Sequence, residues 1–80
     1  MSSEEELATQ RSDWLREELA YQGFEARDVA RRSRFATGEI SLWLSGEKPL
    51  TAAALHELAQ SLDLVPPPDL LEQFFRAPKR

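Results

Sequence analysis

Cysteine is absent from these 80 residues, which removes both a disulfide framework and a thiolate metal site. The one histidine, His56, sits beside Glu57 with no second histidine and no nucleophile at a fixed spacing, so neither a metal centre nor a catalytic constellation is expected. Apolar runs are short, far below the roughly 20 residues needed to cross a bilayer. The opening Met1-Ser2-Ser3-Glu4-Glu5-Glu6 is acidic where a signal peptide would be basic and then apolar. A cytoplasmic protein without a membrane partner is the expectation. Strand signals are also scarce, since no stretch alternates apolar and polar residues between turn residues.

What is present suits one small globular domain: 41% hydrophobic and 30% charged residues are too apolar for a disordered chain. With no covalent staples, packing must hold such a domain together, helped where needed by self-association. The net charge of −4 argues against unselective binding to polyanions. The charge is uneven, however. Residues 1–23 carry −4 and residues 51–80 carry −1, whereas residues 24–50 carry +1 and hold Arg27, Arg31, Arg32 and Arg34 close together. Local partners for these arginines are available in Glu25 and Asp28. After Arg34 no positive charge follows until Lys48.

The chain reads as short helices joined by tight turns. Ser3 and Glu6 have capping-box spacing, which would start a helix near Glu4; Ser12 is a competing start that would leave residues 1–11 as an acidic arm. Trp14, Leu15 and Leu19 share a face, and Gly23 suits the left-handed residue ending a helix. Trp14 fits either the core or a partner contact. A second helix fits Ala26 to Ser33, with Val29 and Ala30 inward, and residues 34–36 form a turn plugged by Phe35. A third runs from about Thr37 to Ser45, placing Ile40, Trp43 and Leu44 on one face. Its opposite face carries Gly38, Ser41, Leu42 and Ser45, with Thr37 and Glu39 at the edges. Gly46 and Pro49 mark its end. Thr51 caps a fourth helix in which Leu55, Leu58, Ala59 and Leu62 repeat at helical spacing. Pro66-Pro67-Pro68 forces an extended link, and a fifth helix is expected over Asp69–Arg76. The division is thus an N-terminal arm or helix extension (1–11), a helical domain (12–76) and a basic tail (77–80).

Two short helices joined by a three-residue turn with one apolar plug form a helix-turn-helix pattern. Taken with Leu15, Leu19, Gly23-Phe24, Val29-Ala30, Phe35, Ile40-Ser41, Trp43, Gly46, Lys48-Pro49, Leu55, Leu58 and Ala59, the stretch from Leu15 to Leu64 resembles the lambda-repressor-like (Cro/Xre type) DNA-binding family. The resemblance implies an all-α, compact five-helix domain whose third helix enters the DNA major groove. The second helix would then lie across the groove with its N-terminus against phosphate. Carried over residue by residue, Thr37, Gly38, Glu39, Ser41 and Leu42 would face bases or nearby backbone, and Arg27, Arg31, Arg34 and Lys48 would meet phosphates. Glu39 can accept from cytosine N4 and Leu42 can touch a thymine methyl. Several family features are missing: Ala26 replaces a phosphate-binding amide, Arg34 replaces the turn glycine, and Thr37 and Leu42 replace basic residues. Each lost phosphate contact lowers affinity and its salt sensitivity.

In the last helix, Leu70, Leu71, Phe74 and Phe75 either all close the core, or Leu71 and Phe75 meet a twin subunit. The family commonly dimerises there, implying a homodimer on a near-palindromic operator. The expected function is a sequence-specific DNA-binding regulator without a cofactor, a repressor that occupies double-stranded DNA; it is not expected to be an enzyme. The alternative is a protein-interaction module on the same fold, antitoxin-like or anti-repressor, gripping a protein partner with the third-helix face.

Overall fold

A computed structural model describes residues 4–67 and Leu70 of the chain. The described residues are all-helical: α1 spans Glu4–Gln22, α2 Ala26–Arg32, α3 Thr37–Ser45 and α4 Ala52–Leu62. Three glutamates in the first turn of α1 complement its dipole, and no glycine or proline interrupts it. It runs unbroken through Ser12, with Ala8, Ser12, Leu15 and Leu19 buried along one stripe at helical spacing. Gly23 ends it at φ +81°, a conformation that costs glycine nothing.

The seven-residue α2 is too short to be stable alone and is held by Val29, which is completely buried. It stops at Arg32, one residue earlier than its pattern suggests. The Ser33 hydroxyl donates to the Val29 carbonyl (2.8 Å) and accepts from the Phe35 amide (3.3 Å), drawing the backbone into the turn. Phe35 then meets the Trp43 ring edge-on, with centroids 4.9 Å apart. Ile40 and Trp43 fix the inner face of α3, and Gly46 closes its C-terminus in the left-handed region. In α4 the Thr51 hydroxyl accepts from the Ala54 amide at 3.1 Å, as expected of a cap worth about 1 kcal/mol.

Leu15, Val29, Ile40, Leu50 and Leu58 are the largest fully buried side chains, so α1 to α4 and the α3–α4 loop all contribute to one core. α2 packs mainly on α3, while α1 spans α3 and α4. Trp14 is half-buried and packs against the same cluster. Leu70 is also buried there. The rest of the expected fifth helix, including the candidate dimer residues Leu71 and Phe75, lies outside the described residues, as does the Ser3 cap.

Candidate nucleic-acid interface

Because Ile40 and Trp43 point inward, the opposite side of α3 is turned to solvent. Thr37, Gly38, Ser41, Leu42 and Ser45 are exposed, and Leu42 is one of the few large apolar side chains left so among the described residues, at 40%. Gly38 has no local reason to be glycine. Its backbone is ordinary helix, and a Cβ built there would meet nothing within 4 Å. Glycine in a helix costs roughly 0.5–1 kcal/mol relative to alanine. Gly38→Ala is therefore expected to raise the unfolding free energy by about 0.5 kcal/mol or slightly more, as read from urea denaturation. A fold that forgoes this stability at a solvent-facing position keeps the surface of α3 low there.

Glu39 sits at the edge of that face and is not free. Lys48 in the α3–α4 loop donates its backbone amide to the Leu42 carbonyl (3.1 Å), which turns the loop back along α3. Its Nζ then lies 2.7 Å from Glu39 Oε2 and 5.8 Å from the centre of the Trp43 ring. The candidate base-facing glutamate and the candidate phosphate-binding lysine are each other's partners.

The three candidate phosphate-binding arginines are strongly exposed, yet each also faces a carboxylate. Arg27 lies 3.6 Å from Glu25, Arg31 3.7 Å from Asp28, and Arg34 2.6 Å from Glu57. At side-chain exposures of 73–75% for the arginines, such pairs are worth about 0–1 kcal/mol. The start of α2 is also already occupied: Asp28 Oδ2 accepts from the Glu25 amide at 2.8 Å. A phosphate held by the α2 N-terminus, which the family resemblance implies, would have to approach two carboxylates.

Arg32, not among the candidates, stands differently. Its guanidinium lies over the Phe24 ring, 4.6 Å from the centroid, and it has no carboxylate partner among the described residues. The contact joins residues eight apart, one just before α2 and one at its end, and no helical spacing announces it.

A second feature invisible in the sequence is how α1 holds α3. Ser12 Oγ donates to the Trp43 carbonyl (3.0 Å), and Arg16, itself paired with Asp13, donates to the Leu44 carbonyl. Arg11, only 2% exposed, donates to the buried Leu50 carbonyl at 2.9 Å and meets Glu4 at 2.8 Å. Two of these side chains satisfy carbonyls at the C-terminal end of α3, where cationic donors are favoured. The third fixes the loop that carries Lys48. Between α1 and this loop is an open cleft of about 450 Å³ edged by Asp13, Arg16, Glu47 and Lys48.

No protein-family model, curated protein or solved structure matches the chain. Among the described residues no group of acidic, histidine or cysteine side chains could hold a metal ion. No described helix is long and apolar enough to cross a membrane.

Proposed function

We propose that the chain is a helix-turn-helix DNA-binding regulator of lambda-repressor-like type, which presents α3 to the major groove of double-stranded DNA. The observation that carries this reading is the outer face of α3. It is low at Gly38, bears small hydroxyls at Thr37, Ser41 and Ser45, and has one exposed leucine. It is held rigidly from behind by hydrogen bonds from α1. Arg27, Arg31 and Arg34 supply phosphate contacts by exchanging partners. A surface ion pair worth less than about 1 kcal/mol yields to a charge-assisted hydrogen bond with phosphate. The exchange makes binding weaker than a fully basic surface would give, so two half-sites read by a homodimer would compensate. No catalytic step is assigned, and repression by occupancy is the simplest action.

The carboxylates around the arginines also favour a second reading, a protein-interaction module in which Leu42 is the anchor. Salt separates the two. Three phosphate contacts per protomer, six in the dimer, give a log–log slope of affinity against salt of about −5.4, and Arg31→Ala, which removes one from each protomer, should make it about 1.8 shallower. Fluorescence-polarisation titrations of the full chain against a randomised duplex pool at two salt concentrations measure this. A folded protein that shows no salt-dependent binding would assign the α3 face to a protein partner instead.

A further inference from the structure

Resting on the DNA-binding reading, we infer that Glu39 and Lys48 act together as one reader of a G·C base pair, with specificity residing in the ion pair and not in either side chain alone. Three observations lead here. Glu39 occupies the edge of α3 next to the exposed Leu42. The Lys48 amide on the Leu42 carbonyl brings the loop alongside that edge. The carboxylate oxygen and the ammonium nitrogen are 2.7 Å apart with both side chains still partly open to solvent, at 34% and 47%.

A base pair offers the matching pattern. In the major groove, cytosine N4 is a donor and guanine O6 an acceptor, and the two bond to each other at about 2.9 Å. An acceptor–donor pair with 2.7 Å spacing can therefore lie against this donor–acceptor pair, Glu39 Oε2 accepting from N4 and Lys48 Nζ donating to O6. T·A also offers a neighbouring donor and acceptor, adenine N6 and thymine O4. There the adenine N7 lone pair would face the carboxylate, and the thymine methyl would crowd the ammonium group. In G·C the guanine N7 instead gives Lys48 a second acceptor, and nothing electron-rich opposes Glu39. The ion pair also explains how a glutamate is tolerated beside phosphates: Lys48 cancels its charge before the DNA arrives. Trp43 beneath the ammonium limits where Nζ can move.

The test is selection from a randomised duplex pool by the full-length wild type, Glu39→Gln and Lys48→Met, with far-UV circular dichroism confirming that each is helical. Both changes are nearly isosteric and lie at the surface, and methionine keeps an apolar stem over Trp43. The wild type is expected to enrich G·C at one position of each half-site. Glu39→Gln, which can donate as well as accept, shifts that position towards adenine. Lys48→Met relaxes it, and the preference falls about tenfold in each case while other positions hold. If Glu39→Gln selects the wild-type site unchanged, or binds it more tightly, Glu39 merely withholds Lys48 from a phosphate and the inference is wrong. Should the folded wild type enrich no sequence, the DNA-binding reading falls together with it.

Discussion

Arg11→Ala is expected to lose about 3 kcal/mol of stability, the largest effect of any single polar substitution among the described residues. The guanidinium is buried and donates to the Leu50 carbonyl, whose own residue is completely buried. Removing it strands that acceptor, which costs about 1–3 kcal/mol, and takes away the packing of the buried stem. Total stability for a domain this size is on the order of 4–12 kcal/mol, so the melting temperature should fall by roughly 15 °C. Arg11→Met keeps most of the stem and should recover part of the loss. If Arg11→Ala melts within about 3 °C of wild type in a circular-dichroism scan, Arg11 is not the staple assigned to it.

The same contact predicts a pH dependence. The hydrogen bond from Arg11, assisted by its charge, holds the Glu4 carboxyl below its ordinary value of 4.5, against a small opposing effect of burial. A depressed folded pKa means that the stabilisation is fully present above that ordinary value and is lost as pH falls through the lower folded one. Glu4 is largely exposed, so the effect is small. Glu4→Gln should lower stability slightly at neutral pH and converge with the wild type once pH has fallen below the folded Glu4 value, so that the acid limb of its stability curve is flatter. Glu4→Gln and wild type losing stability in parallel below pH 4.5 would show that the pair does not form.

How much of this could be read from the chain depends on the range of the interaction. Helix ends set by local chemistry were legible: Gly23 and Gly46 in the left-handed region, and Thr51 as a cap. The α2 terminus was misplaced by one residue because a serine, with two local hydrogen bonds available, outbid one more helical turn at Ser33. The start of α1 could not be chosen from sequence, since Ser3 and Ser12 both look like caps. The difference lies in tertiary contacts, with Ser12 bonded to Trp43 and Arg11 to Leu50. The exposed face of α3 followed directly from the 100° spacing that buries Ile40 and Trp43. The long-range partners of its flanking charges did not. Lys48 reaches Glu39 only because the loop turns back, and Arg34 reaches Glu57 across 23 positions. The local pairs, Arg27 with Glu25 and Arg31 with Asp28, lie within the reach of a sequence reading; those of Arg34 and Lys48 do not.

Leu42→Glu is expected to abolish specific DNA binding, by at least about a hundredfold, while the fold stays intact. Leu42 is on the open side of α3 and belongs to no buried cluster, so its replacement should change stability by no more than about 0.5 kcal/mol. In the groove the same change removes an apolar contact with a thymine methyl and adds a carboxylate among phosphates, beside a glutamate already neutralised by the nearest cation. One uncompensated charge in that position costs several times what the leucine contributed, because Lys48 is committed to Glu39 and the arginines lie on α2 and the turn. A protein partner gripped through Leu42 would be lost as well, so the variant must be paired with Arg31→Ala. DNA binding is lost with Leu42→Glu and weakened, with a shallower salt dependence, by Arg31→Ala; an apolar protein interface needs Leu42 and tolerates the loss of Arg31. Polarisation titrations of the two variants on the selected duplex give the answer: retention of binding by Leu42→Glu would remove α3 from the groove altogether.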